Sequence, residues 1–142
     1  MKYGFLVLLC CVACTQIPDC SLDPNADVFF VSFSDDEVNS FTFTSITNDL
    51  ITTDYAPDSA ILAIALPLTE TSAVITYRFE TDTLEYSLTV GYRSQLNIYG
   101  DDCPASVQFL DVEVINYANF DTAFVTNPIL TSRIEENIEV LF

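Results

Sequence analysis

Residues 73–92, "AVITYRFETDTLEYSLTVGY", alternate apolar and polar side chains on both sides of a short polar break. Ile75, Tyr77 and Phe79 share one face before the break, and alternate residues of 84–92 repeat the pattern after it. A period of two places successive side chains on opposite faces of an extended chain. The short "TDT" between the halves has the length of a turn. The stretch therefore predicts a β-hairpin with one buried face.

Strand-like alternation recurs on both sides of this hairpin. The other segments that carry it are Val28–Phe33, Ser40–Thr44, Val107–Ile115 and the closing "NIEVLF" at 137–142. The polar "SDDEVNS" between the first two predicts a hairpin turn. In the third segment, we expect Leu110, Val112 and Val114 to share the buried face.

Two segments lack this alternation. The apolar run "ILAIALPL" at 61–68 predicts a buried strand that ends at Pro67. Residues 120–136, which Pro128 interrupts, favour a short helix or an irregular crossing. Seven to nine strands without a sustained helical pattern predict an all-β fold, namely an antiparallel β-sandwich. A small β-barrel is the alternative.

The composition excludes several classes of function. The chain has 142 residues, which suits one domain with its own core. Its 21 acidic and 4 basic residues give a formal net charge of −17, and such a surface repels nucleic acid and anionic lipid. Histidine is absent, which excludes Ser-His-Asp and Cys-His nucleophilic systems and histidine-based metal sites. We expect no cofactor and no nucleic-acid partner.

Four of the five cysteines lie within "LLCCVACTQIPDC" at residues 8–20. Lys2 precedes an apolar run, residues 3–13, that is too short to span a bilayer but has the size of a secretory signal. No histidine and no second C-x-x-C completes a zinc site with Cys11 and Cys14. The stretch resembles a bacterial lipoprotein signal, which implies cleavage before Cys14 and a lipid on that cysteine. An ordinary cleaved signal is the alternative.

Processing at this position divides the chain into three parts. They are a signal peptide (1–13), a tether (14–26) and a β-sandwich domain (27–142). Two thiols then remain, and in an exported chain we expect Cys20 and Cys103 to form a disulfide, two free thiols being the alternative. The lipid would attach the protein to the membrane without a transmembrane helix.

The order of motifs extends the resemblance over most of the chain. A second cysteine follows the first closely ("CTQIPDC"), an apolar stretch ends in "LPL", "DTL" precedes a tyrosine-containing strand, and one more cysteine and a terminal strand follow. This order resembles small uncharacterised lipoproteins of Bacteroidota that form a domain of unknown function. Pro104 stands after Cys103 where that pattern has glycine. The resemblance implies an exported all-β lipoprotein and no catalytic residue.

Three other site hypotheses depend on short polar motifs. Calcium prefers oxygen ligands, for which the weak candidates are Asp35, Asp36, Glu37 and Asn39. A sugar-stacking surface would use tyrosines, for which the candidates are Tyr55, Tyr92, Tyr99 and Tyr117. Three tripeptides look like the Bacteroidota O-glycosylation pattern, with Ser59, Thr83 and Thr122 as acceptors. Turns are rich in such residues without any modification.

Taken together, the sequence predicts a lipid-anchored, non-enzymatic cell-envelope protein that binds or supports another envelope component. A carbohydrate- or calcium-binding module is the first alternative, and a carboxylate-dependent hydrolase is the second. Acidic residues are absent directly after Cys14, where exported surface lipoproteins of Bacteroidota carry them. We therefore expect an outer-membrane lipoprotein that faces the periplasm, with the cell surface as the alternative.

Overall fold

The computed structural model of the protein describes residues 28–34, 41–54, 60–97, 106–130 and 135–142. These residues form eleven β-strands and no helix. In chain order the strands are β1 (Val28–Ser34), β2 (Phe41–Thr42), β3 (Ser45–Thr47), β4 (Thr52–Asp54), β5 (Ala60–Ile61), β6 (Ala63–Pro67), β7 (Val74–Glu80), β8 (Glu85–Asn97), β9 (Ser106–Ala118), β10 (Thr122–Val125) and β11 (Ile138–Leu141). Nine of these strands form two larger sheets, and β2 pairs with β5 separately. The larger sheets are not closed into a barrel, so the predicted β-sandwich is confirmed.

The four-stranded sheet, with the order β10-β11-β1-β6, joins segments that lie far apart in the sequence. β1 pairs in parallel with β11, where Val31 lies beside Ile138, and antiparallel with β6, where Phe29 lies beside Leu66. β10 adds to β11 in the antiparallel sense. Among the described strands, the contact between β1 and β11 is the one parallel pairing.

The five-stranded sheet, with the order β4-β3-β7-β8-β9, is built around the predicted hairpin. β7 and β8 pair from Val74 beside Gly91 to Glu80 beside Glu85, which confirms the hairpin and its short connection. Leu84 departs from the expected pattern, because it lies in the turn and is 53% exposed. The other residues that alternate inward between 75 and 92 are buried, as the period of two predicts, except Tyr86, which is partly buried.

The core lies between the inner faces of the two sheets. Phe29 packs edge-on against Tyr77 with ring centroids 5.4 Å apart, and Phe33 packs against Phe79 at 5.6 Å. One end of this core is an aromatic cluster of Phe33, Phe43, Phe79, Tyr86, Phe120 and Phe142. Full burial of a side chain of this size contributes roughly 2 kcal/mol, so the rings hold the sheets together.

β9 is interrupted by bulges opposite β8. At one of them Asp111 adopts a left-handed conformation with a φ of 55°. An extra residue in one strand moves the following side chains to the other face. Leu110 therefore lies opposite Arg93 on the outer face, whereas Phe109 and Val112 are buried. The prediction that Leu110 shares the buried face is wrong for this reason.

The apolar run at residues 61–68 is not a fully buried strand. It forms β5 and then β6, which is an edge strand of the four-stranded sheet. Leu66 is buried, whereas Ala63 and Ala65 on the other face of β6 are exposed, because only one face of an edge strand meets the core. Leu62 lies in the bend between β5 and β6 and is 60% exposed. β6 does end at Pro67, as predicted.

Two connections also differ from expectation. β1 and β2 belong to different sheets and do not pair as the predicted hairpin, while residues 35–40 of "SDDEVNS" lie outside the described residues. Within residues 120–136, the described part contains the strand β10, which neither alternative predicted, and irregular chain after it; no helix is found in that described part. Thr126 and Asn127 donate backbone hydrogen bonds to the carbonyl of Asn137 at 2.9 and 3.3 Å, which fixes this crossing against β11.

Candidate functional site

Most of the predicted site residues lie outside the described residues. They are Cys14, Cys20, Cys103, Asp35, Asp36, Glu37, Asn39 and Ser59, together with the signal peptide and the tether. The lipid anchor, the disulfide and the calcium hypothesis therefore stay predictions. The same is true of Tyr55 and Tyr99.

Thr83 and Thr122, the two remaining O-glycosylation candidates, differ in their surroundings. Thr83 lies in the turn between β7 and β8 and is exposed, as are its neighbours Asp82 and Leu84. Thr122 begins β10 and is partly buried, and Ala123 after it is buried. A bulky modification therefore has room at the turn and little room in the strand.

The structure separates the described tyrosines of the sugar-stacking hypothesis. Tyr92 is 5% exposed and packs against Phe109 with ring centroids 5.5 Å apart, so its faces are not available to a ligand. Tyr117 lies on the edge strand β9 and is partly exposed. These two rings do not form one surface.

The acidic residues are dispersed in the described part of the chain. No group of three or more His, Cys, Asp or Glu side chains converges there in a way that suits a metal ion. The turn at residues 80–85 lines an open surface depression, in which Glu80 accepts a hydrogen bond from Ser45 Oγ at 2.8 Å. No described helix is long and apolar enough to cross a membrane.

A buried polar cluster lies at the end of the core opposite the aromatic cluster. The Tyr77 hydroxyl donates to the carbonyl of Pro67, and the Tyr92 hydroxyl donates to the carbonyl of Thr69 at 2.9 Å. Burial raises the pKa of Tyr77 far above its usual value, with a smaller contribution from Tyr92, whereas Asn48 opposes the shift. Burial also raises the pKa of Tyr92. Both hydroxyls are bonded to backbone, so this cluster is structural.

The outer face of the five-stranded sheet mixes polar side chains with exposed apolar ones, since Val74 is 47% and Ile115 is 50% exposed. Thr76 and Thr89 share a hydrogen bond of 2.9 Å across β7 and β8, and Asn116 is exposed beside Thr89. Arg93 binds Asp111 at its edge through Nε at 3.0 Å and Nη2 at 2.8 Å. Water and neighbouring side chains satisfy the polar groups of this face.

The outer face of the four-stranded sheet is different, and we name it the Glu139 face. Its described members, which share the outward side of neighbouring strands, are Val28, Phe30, Ser32, Ser34, Ala63, Ala65, Pro67, Thr122, Phe124, Glu139 and Leu141. Most of them are apolar, and Phe124 is 43% exposed. A contiguous apolar patch on a solvent-exposed face marks a binding surface more often than scattered apolar residues do.

Glu139 is the one acidic residue among these members. It lies between Phe124 of β10 and Ser32 of β1, which are its direct neighbours on the two adjacent strands. Its Oε1 accepts a hydrogen bond from Ser34 Oγ at 3.0 Å. The Ser32 hydroxyl is buried and has no hydrogen-bond partner. The carboxylate is therefore held by a hydrogen bond and partly shielded from water. Glu139, Ser32, Ser34 and Phe124 form the candidate site.

Sequence patterns point to this site only in part. The alternation in "NIEVLF" places Ile138 and Val140 inward and Glu139 outward, as observed. The consecutive Phe29 and Phe30 carry the further signal, because one of two adjacent strand residues must face outward. The pairing that brings Phe124 beside Glu139 has no local signal. Comparison of the chain with protein-family models, with curated proteins and with solved structures finds no match.

Proposed function

We propose that the protein is a lipid-anchored, non-enzymatic component of the cell envelope that binds or supports another envelope component through its β-sandwich. The lipid is carried by Cys14, and a disulfide joins Cys20 to Cys103. The protein belongs to the outer membrane and faces the periplasm. It resembles the uncharacterised lipoproteins of Bacteroidota in its order of motifs.

The observation that supports the binding role is the Glu139 face. The described members of this face are mostly apolar around a single carboxylate, and an apolar surface of this kind gains free energy by leaving water. Phe124 is the most prominent apolar side chain of that face. The sequence around Cys14, with its short apolar run and small residue before the cysteine, supports the anchor.

Cell fractionation with two matched cysteine variants tests the anchor. We expect Cys14→Ser to move the protein from the membrane fraction to the soluble fraction, because no other residue would carry the lipid. Cys10→Ser is the control and should leave the protein in the membrane fraction, since Cys10 lies within the segment to be removed and outside the residues directly before Cys14. Unchanged fractionation of Cys14→Ser, or equal release by both variants, would contradict the proposal.

Thiol alkylation and protease access test the other two parts. The purified mature protein should show no labelling of Cys20 or Cys103 without reductant, and labelling of both would rule out the disulfide.

Protease added to intact cells should spare the protein together with a periplasmic control. Rapid loss of the protein while that control survives would place it on the cell surface.

A further inference from the structure

We propose that the Glu139 face binds a basic protein partner through an arginine that pairs with Glu139 and packs on Phe124. This inference rests on the proposed binding role and adds the surface and the chemistry of the partner. The argument uses the position of the carboxylate, the surroundings that exclude water and the charge of the chain.

Glu139 lacks a cation in the described part of the structure. The hydrogen bond that it accepts from a described residue comes from Ser34, which occupies Oε1 and leaves Oε2 to a further donor. Arg78 and Arg93 belong to the five-stranded sheet, on the other side of the sandwich. A partly buried carboxylate with one neutral donor gains most from a charged one, because charge-assisted hydrogen bonds are about twice as strong as neutral ones.

The neighbours of Glu139 favour arginine over a smaller cation. Phe124 lies directly beside it on β10 with 43% of its surface exposed, so its ring is open to a flat group. A guanidinium can bind a carboxylate and stack on an aromatic ring at the same time, whereas an ammonium is a compact, strongly hydrated charge. The buried Ser32 hydroxyl, which lies on the opposite side of Glu139, shows that water is already excluded there.

The charge of the chain selects the kind of partner. With a net charge of −17, the protein attracts basic surfaces over a distance and repels acidic ones. A second copy of the chain would bring two acidic molecules together. Its described cations, Arg78 and Arg93, lie on the opposite sheet, and contacts through them would build an open-ended array. An anionic lipid surface is repelled in the same way. A different, basic protein is the occupant that these charges fit.

Two dipeptides that differ only in charge test this inference with the purified full-length protein. The probes are N-acetyl-Phe-Arg-amide and N-acetyl-Phe-citrulline-amide, which have nearly the same shape. Amide chemical shifts are followed by NMR at millimolar probe. We expect the shifts at Ser32, Phe124 and Glu139 to be at least threefold larger with the arginine probe. They should shrink when the salt concentration rises, because screening weakens the ion pair.

Two variants of acidic residues locate the effect. Glu139→Gln should reduce the shifts at this face at least threefold. Glu113→Gln is the control, because Glu113 is a strand carboxylate with an exposed apolar neighbour, Ile115, but is exposed and lies on the five-stranded sheet. It should leave the shifts at the Glu139 face unchanged.

Four outcomes would overturn the inference. They are equal shifts with both probes, shifts spread evenly over the exposed acids, shifts that survive Glu139→Gln, and concentration-dependent shifts of the same amides without any probe. The last result would identify a second copy as the occupant. Glu139→Gln should leave membrane fractionation unchanged, so a failure of this inference is distinguishable from a failure of the lipid anchor.

Discussion

The two large sheets share one core but are assembled in different ways. In the five-stranded sheet β7, β8 and β9 follow one another in the chain and pair as neighbours. In the four-stranded sheet, Phe30 and Asn137 bond to each other across 107 residues. Pairing strands that are far apart in the sequence costs more loop-closure entropy than forming a hairpin. We therefore expect the four-stranded sheet to depend on specific buried hydrogen bonds and the five-stranded sheet to depend on its turns.

Asn137 is the clearest of these buried bonds. The side chain is 3% exposed, its Oδ1 accepts from the Phe30 backbone at 2.9 Å, and its Nδ2 donates to the carbonyls of Asn127 and Ile129 at 3.1 and 3.3 Å. One side chain thus connects β1, the start of β11 and the irregular crossing. Each of its partners is a backbone group that would otherwise need another donor or acceptor.

Replacement of Asn137 should give the largest effect. We expect Asn137→Ala to lower the free energy of unfolding by about 3 kcal/mol, because it leaves a cavity and several buried backbone groups without partners. Urea unfolding followed by circular dichroism measures the change. Asn116→Ala is the matched control on the outer face of the five-stranded sheet and should change stability by less than about 0.5 kcal/mol. Similar losses for both variants would contradict the expectation that the four-stranded sheet depends more on specific buried hydrogen bonds than the five-stranded sheet does.

The same difference explains how far the sequence predicts the fold. Residues 73–92 contain both strands and the turn of a hairpin, so a period of two suffices to predict their pairing. The parallel pairing of β1 with β11 depends on contacts such as that of Asn137, which no local pattern announces. Leu110 fails for another reason, since the bulge at Asp111 changes the face without changing the alternation of residue types.

Tyr77 connects the two sheets and gives the second prediction. Its ring belongs to β7, but its hydroxyl donates to the carbonyl of Pro67 on β6. We expect Tyr77→Phe to cost about 1–2 kcal/mol at neutral pH, because the hydrogen bond between the sheets is lost while the packing is kept. Tyr92→Phe, which removes bonds to Thr69 only, is the comparison variant. A loss from Tyr77→Phe smaller than that from Tyr92→Phe would contradict a role in joining the sheets.

The raised pKa values of Tyr77 and Tyr92 predict loss of stability at alkaline pH. The unfolded chain releases these protons near pH 10.0 whereas the folded protein retains them, so stability is complete below that pH and falls above it. Tyr77 contributes a slope of about 1.4 kcal/mol per pH unit above that pH, and the raised pKa of Tyr92 adds to the decline in the same direction. Urea midpoints between pH 9 and 11 should decline, and the decline should be shallower in Tyr77→Phe. An unchanged slope in that variant would refute the assignment.

The candidate site, like the fold, could be predicted from the sequence only where local alternation determines it. Glu139 and its outward direction follow from the alternation of the last strand. The residues beside the carboxylate belong to β1 and β10. Their position next to Glu139 depends on the order of strands that are far apart in the sequence. The candidate residues that the sequence offered for modification and disulfide formation belong mainly to segments outside the described residues.

Asn119 gives a smaller effect in the turn between β9 and β10. It has a φ of 67°, and its Nδ2 donates to the carbonyl of Glu85 at 2.6 Å. Asparagine and glycine tolerate this conformation and alanine does not. We expect Asn119→Ala to cost about 1–1.5 kcal/mol and Asn119→Gly to cost less than half of that, as measured by urea unfolding. Equal costs would mean that the hydrogen bond alone matters.

The smallest effect is expected at the surface pair of Arg93 and Asp111. Both side chains are mostly exposed, so solvent screens the ion pair and its removal by Arg93→Gln should cost about 0.5 kcal/mol or less. Asp111 also has a φ of 55°, a conformation that destabilises a residue with a side chain but not glycine. Asp111→Gly should therefore be neutral or slightly stabilising even though it breaks the pair. Asp111→Ala loses the pair and keeps the strain, so it should be the least stable of the three. A loss above about 1 kcal/mol for Arg93→Gln would mean that this sheet also depends on a specific polar contact, and the contrast with Asn137 would then fail.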